Sequence, residues 1–455
     1  MHITKTNSRF LLISLILLVS GFFVPKFVWA NNKPVGSPSS SENLVGHGGP
    51  VNAVVISPDG NTLISGSLDY AMMMWDIKSF PAKSVYRFSD HDGHLSAVEF
   101  LPSGEQAMSA GSDGNLYLWN LESKQLLHKF TGHKGKIVSI AVSNDSSLAA
   151  TSSWDGSIRL WDLTNKKPLK KIQIHNERVN GVLISSDNKT VYSGGYDGKI
   201  RAWDLKTGDF IKVLYQHGWP INVMHWMPDQ KQIVFGTTNG DVHVLNIESN
   251  KISKILIPHE KPVLGLAVSK DHNLIATGGN DGVIRVWSIK DWSLIGETIT
   301  ILGPVWALAF TSDGKSLYYG SLDDEVKHWN ISKNDDENLW IAYKPRRFQI
   351  KTGMKLGELQ FARKCSVCHT LKPDDANRAG PTLYKVFGRK AGSVKGYSYS
   401  QGLLDSNIIW DEKTIDELFV EGPHKIVPGT KMPLQKVSDN KKRKALIEYL
   451  KEATN

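Results

Sequence analysis

Cysteine is almost missing from this sequence: its 455 residues contain two, Cys365 and Cys368. That scarcity excludes a disulfide framework and a zinc site built on several thiolates. Long apolar runs are equally scarce. One extends from Phe10 to Val24, and no later stretch could cross the ~30 Å hydrocarbon layer of a bilayer. What the sequence has in plenty is length, enough for two or more cores, and tryptophan, 14 of them scattered along the chain.

The single apolar run has a recognisable setting. Lys5 and Arg9 precede it, and Val28 and Ala30 supply modest or small residues where a signal peptidase reads. A polar Asn/Pro/Ser segment follows to Ser41 and cannot build a core. The order is that of a cleaved secretory signal over residues 1–30, followed by a disordered linker over 31–42. The competing reading is an uncleaved anchor helix, which the short run and its interruption by Pro25 and Lys26 oppose. Export, with the bacterial periplasm as destination, implies an oxidising compartment in which two nearby thiols tend to pair. A redox-active disulfide is therefore one reading of the cysteines.

The tryptophans recur. Trp75, Trp119, Trp161, Trp203, Leu245, Trp287 and Trp329 are spaced by 44 residues and then by 42. Asp69, Asp113, Asp155, Asp197, Asn239, Asp281 and Asp323 lie six residues before them. His47, His91, His133, His175, His217 and His259 lie a further 22 upstream. Between the markers, short runs of alternating polarity such as Ser157–Leu160 are separated by Asp-Gly turns, which reads as strands. One such unit cannot bury both faces, so the units must stack into a ring that protects most strand edges.

A period near 42 with these markers resembles the WD repeat, a four-stranded propeller blade. The resemblance covers residues 43–332 and implies an all-β seven-bladed propeller. It implies that Asn43–Val45 supplies the outermost strand of the last blade. It also implies a buried His–Ser/Thr–Asp–Trp chain, matched by His47, Ser65, Asp69 and Trp75 and by their counterparts in blades 2, 3, 4 and 6. Blade 5 keeps His217 but has Phe235, Asn239 and Leu245, and blade 7 keeps Asp323 and Trp329 beside Ile301 and Tyr319. Each departure is expected to be coherent, with apolar groups replacing neighbours together, because a half-satisfied buried chain is worse than none. Fivefold repetition makes these His and Asp residues architecture, and no enzyme is read in the propeller. Trp154, Tyr196 and Trp219, on strand-connecting loops of one face, either cap their own blades or form a patch that docks a protein.

A linker over 333–350 leads to Cys365-Ser366-Val367-Cys368-His369. Two thiols three residues apart can form thioethers to both vinyl groups of a haem, and the adjacent imidazole then points at the iron. Zinc would need further ligands, and a thioredoxin-like site would need a βαβ setting that is absent. Met432, in Pro428–Pro433, offers a soft sixth ligand.

Residues 351–455 resemble class I, mitochondrial-type cytochrome c, an all-α domain carrying one covalent haem c. Gly357 and Phe361 match its first helix, and Leu446, Tyr449 and Leu450 its last. By resemblance, the Pro381 carbonyl accepts from His369, and His369 and Met432 ligate the iron. Arg389, Tyr399, Trp410 and Thr430 bind the buried propionates or lie beside them. Leu403 and Leu418 replace the polar residues usual on the methionine side. The segment holds 19 Lys+Arg against 12 Asp+Glu, whereas the other 350 residues hold 35 against 33. Lys364, Lys390, Lys425 and Lys431 are placed by resemblance around the exposed haem edge, where they would steer an acidic redox partner such as an oxidase, reductase or dehydrogenase. Nucleic acid is not expected as a partner. The reading is a one-electron carrier, not an enzyme, with the propeller as docking platform. The alternative is a haem enzyme or redox/gas sensor in which Met432 is displaceable.

Overall fold

The marker periodicity translates into seven four-stranded sheets. A computed structural model describes residues 43–79, 81–173, 177–300, 303–331, 353–366, 368–373, 380–395, 397, 399–430, 432 and 436–454. The expected signal and linker segments, and with them His175, Ile301 and Lys431, lie outside the described residues.

Blade 3 shows how residues make the unit. Ile137–Val142, Leu148–Ser153, Ser157–Asp162 and Lys167–Gln173 pair in that order, each antiparallel to the next. The middle strands are buried on both faces, whereas the lysine-rich outer strand is almost wholly exposed. Neighbouring blades interlock through aromatics. Phe88 packs against Trp119 and Phe130 against Trp161, with ring centroids 5.0 and 5.4 Å apart. Each such fully buried side chain contributes roughly 2–3 kcal/mol. Leu44–Val45 closes the ring by pairing with Glu325–Asn330, Leu44 opposite Val326. The Asn43 amide holds the same seam, its Oδ1 accepting from His328 N at 3.0 Å.

The polar chain is complete in blades 1, 2 and 3. In blade 1, His47 Nδ1 lies 2.9 Å from Asp69 Oδ2 and Nε2 2.7 Å from Ser65 Oγ, which also accepts from Trp75 Nε1 at 2.8 Å. Blade 6 repeats the His259 contacts to Asp281 and Thr277. In blade 4, Asp197 is gripped by Arg201 Nη1 and Nη2 at 3.2 and 2.6 Å.

The departures in blades 5 and 7 are not as coherent as expected. Blade 5 rebuilds its pair from Asp241, two residues beyond the usual position, with His217 Nε2 at 3.3 Å. His217 Nδ1 then has no hydrogen-bond partner among the described residues. In blade 7 the hydroxyl that would accept from Trp329 is replaced by Tyr319, and Trp329 Nε1 is likewise left without one. Asp323 is instead paired with Lys327 at 2.9 Å.

The turns between the second and third strands put a residue in the left-handed region. Gly114, Gly156, Gly198, Gly240 and Gly282 occupy it with φ between 71° and 100°. Blade 1 alone places a bulky side chain there: Tyr70 has φ 68°, a conformation that costs on the order of 1–3 kcal/mol.

The C-terminal segment is helical: α1 Leu356–Lys364, α2 Gln401–Leu404, α3 Glu412–Glu421, α4 Pro423–Ile426 and α5 Asn440–Ala453. Asp411 caps α3, accepting from Thr414 N at 2.8 Å while the Thr414 hydroxyl accepts from Asp411 N. Asp439 caps α5, and from the basic start of that helix Arg443 reaches Asp416 at 2.6 Å. Helices α1 and α5 cross where Gly357 meets Ala445, since a Cβ at 357 would lie 2.0 Å from the Ala445 carbonyl oxygen. Phe361, Leu446 and Leu450 are buried at that crossing. Among the described residues, no helix is long and apolar enough to cross a membrane.

Candidate functional site

Helix α1 ends at the first cysteine. Cys365 N donates to Phe361 O at 2.9 Å, and Cys368 N and His369 N both donate to Cys365 O, at 3.0 and 2.8 Å. This single tight turn brings two thiols and an imidazole to one cavity. Cys365 is 5% exposed and Cys368 half-buried. Burial, with a smaller contribution from Cys368, pushes the Cys365 thiol up to about 12, so it is a poor thiolate and suits a neutral sulfur.

The imidazole is positioned from two sides. Its Nδ1 lies 2.8 Å from the Pro381 carbonyl oxygen. That bond commits Nδ1 as donor, so any metal ligation would fall to Nε2. Gly380 packs flat against the ring, for a Cβ there would come within 2.3 Å of His369 Cε1.

Met432 arrives from the loop after α4. Gly429 turns the chain at φ 76°, and Thr430 Oγ1 accepts from Met432 N at 3.2 Å. Helix α2 packs against this loop closely enough that a Cβ on Gly402 would meet Pro428 O at 2.0 Å.

All nine residues singled out in the sequence line the same cavity: Cys365, Cys368, His369, Pro381, Arg389, Tyr399, Trp410, Thr430 and Met432. Arg389 spends two nitrogens on backbone carbonyls, Nη1 on Tyr384 O at 2.8 Å and Nη2 on Thr382 O at 2.6 Å. The Tyr399 hydroxyl accepts from Val394 N at 3.2 Å. Much of the remaining wall is apolar, with Leu383, Ile415 and Phe419 joined by Leu403 and Leu418. The space between these side chains, open mouth included, amounts to about 1280 Å³. Two thiols on one turn, an oriented imidazole, a thioether and apolar walls fit a covalently attached haem. Lys364 and Lys390 are at the cavity, whereas Lys425 is paired with Glu421.

Two lining tyrosines were not anticipated, Tyr397 and, from the first propeller blade, Tyr70. Burial, then the Cys368 sulfur, pushes Tyr70 up to about 12. On the propeller, Trp154, Tyr196 and Trp219 are 42%, 48% and 55% exposed. The Arg178 guanidinium lies 4.3 Å from the Trp154 ring centroid and 6.0 Å from that of Tyr196, and Lys136 lies 5.0 Å from Trp154.

Comparison with known proteins agrees with both halves. Residues 38–76, 82–120, 124–162, 166–204, 250–288 and 296–330 match the WD40 family (WD domain, G-beta repeat), a set that passes over blade 5. Cytochrome c of Gibberella zeae is 42% identical over 101 residues, 22% of this chain and 94% of that protein. Cytochrome c of Arabidopsis thaliana is 43% identical over 100 residues, 22% and 88% of the two chains, and that of Ginkgo biloba 40% over 101, again 22% and 88%. The chain therefore belongs to the WD40 repeat family through its seven-bladed propeller and to the cytochrome c family through its C-terminal segment.

Proposed function

We propose that this protein is an exported one-electron carrier, its haem c attached through Cys365 and Cys368 and ligated by His369 and Met432, with the propeller seating an acidic redox partner. The observation that carries the reading is the convergence of both thiols, the imidazole and the thioether on one apolar cavity. Bound haem supplies a one-electron Fe(III)/Fe(II) couple. The chain's own residues do the rest. Pro381 holds the tautomer of His369 and raises its donor strength. Leu403, Leu418 and Phe419 exclude water from the methionine side, which favours the less charged ferrous form. Arg389, Tyr399, Trp410 and Thr430 are the polar groups of the lining suited to the propionates.

The stacked Trp154, Arg178 and Tyr196, with Lys136 beside them, offer aromatic area and positive charge together. That chemistry suits an acidic protein surface. Export rests on the basic flank, apolar run and small residues of 1–30.

The test is electron transfer from an acidic single-electron donor protein to the full chain recovered from the periplasm. The mature protein is expected to begin after Ala30, to carry one haem that survives denaturation, and to be reduced reversibly at a rate that falls with salt. Combining Trp154→Ala with Tyr196→Ala should slow that transfer several-fold while reduction by a small reagent is unchanged. An unprocessed, haem-free chain contradicts the carrier, and an unaltered double variant removes the docking patch.

A further inference from the structure

The cavity of the cytochrome is not lined by the cytochrome alone. Tyr70, in the turn between Thr62–Ser67 and Met72–Asp76 of blade 1, is part of its wall. It shares that wall with Cys368 and Tyr397. Cys368 is the more exposed of the two cysteines, so this is the open side of the site.

Nothing within the propeller asks for a tyrosine there. The corresponding residue of blades 2 to 6 is glycine, in a left-handed conformation that L side chains rarely adopt. The turns are also crowded. A Cβ would come within 2.8 Å of His133 O at Gly114, 2.8 Å of Trp219 O at Gly198, 2.0 Å of His259 O at Gly240 and 2.9 Å of Thr300 O at Gly282. Blade 1 alone accepts the Cβ and the unfavourable φ, and the ring it gains is directed to the cytochrome. Strain of this kind persists only where the surroundings over-determine it. Here Asp69 does so: Oδ1 accepts from Ala71 N at 3.0 Å, while Oδ2 meets Gly48 N at 2.8 Å, His47 Nδ1 at 2.9 Å and Arg87 at 3.0 Å.

We propose that blade 1 is a built-in partner of the cytochrome: Tyr70 docks over the Cys368 side of the cavity and withholds that haem edge from direct collision with solutes. The proposal rests on the haem reading above for its redox consequence, although the docking itself does not need haem. It gives the propeller a second task on one face. The turns carrying Trp154 and Tyr196 are the blade 3 and 4 equivalents of the Tyr70 turn, so a partner seated on them lies on the face that also holds the cytochrome. Partner choice then belongs to the propeller, and the haem edge is screened from unselected donors.

The full-length holoprotein with Tyr70→Gly tests this. The change installs the glycine of blades 2 to 6 and relieves the left-handed strain, so the propeller is expected to keep or raise its melting temperature. Reduction by ascorbate should become several-fold faster, and amides of residues 393–400 should exchange hydrogen faster. Tyr70→Phe, which keeps the ring, should behave as the native protein in both. A folded Tyr70→Gly protein with native ascorbate kinetics and native exchange overturns the proposal. If the chain carries no haem the carrier reading fails, and the exchange comparison alone decides the docking: faster exchange supports it and unchanged exchange refutes it.

Discussion

Gly380 is the residue on which the orientation of His369 most directly depends. Any side chain there would drive the imidazole away from Pro381 O, because the ring occupies the space of the missing Cβ. Gly380→Ala should therefore loosen the ring and cost about 2–3 kcal/mol, a size typical of overpacking. The check is thermal unfolding of the holoprotein together with its Soret band; an unchanged melting temperature and spectrum would show that the ring has room to move. Six of the nine cavity residues were legible because each sits in a local motif, three in the turn after α1, one in the Gly380-Pro381 pair and two in the loop around Met432; Arg389, Tyr399 and Trp410 came only through the resemblance to cytochrome c. Tyr70 was not legible, because its role depends on a contact between segments nearly three hundred positions apart. One signal was present, a tyrosine in a column that otherwise holds glycine in blades 2 to 6.

At the level of the blade, the buried histidines make stability depend on pH. Burial outweighs the attraction of the partner aspartates and lowers the pKa of His133 and His259 below the ordinary 6.5. A group with a depressed folded pKa stabilises fully above its unfolded value and loses that contribution as pH falls through the folded one. In a Glu99→Gln background, which removes a buried carboxyl that burial raises to about 7, the propeller's melting temperature should therefore decline as pH is lowered from about 7 toward 5. Calorimetry across that range checks it, and a flat profile would mean that the histidines are already charged in the fold. The period of the markers revealed seven blades, and the resemblance to WD repeats pointed to the segment that closes the ring, observed at Leu44–Val45. The polar chains of blades 5 and 7 were not legible in the sequence, because the group that replaces a partner can lie outside its column. Asp241, outside the usual column, is what His217 meets.

Taken as a whole, the chain divides its labour by charge. The cytochrome segment carries a net +7 and the rest a net +2, so the positive field of the chain is centred on the cytochrome, which is where the proposed acidic partner would first be drawn. Composition exposes that asymmetry, but the meeting of blade 1 with the cavity needed the folded chain. The central claim is that the cavity holds a haem ligated by His369 and Met432. Its most direct test is the absorption spectrum of the periplasmically expressed protein, oxidised and reduced, beside that of Met432→Ala. A low-spin spectrum with the methionine-sulfur band, lost in the variant, is the result expected. A high-spin spectrum that the substitution leaves unchanged would contradict it and point to an open iron.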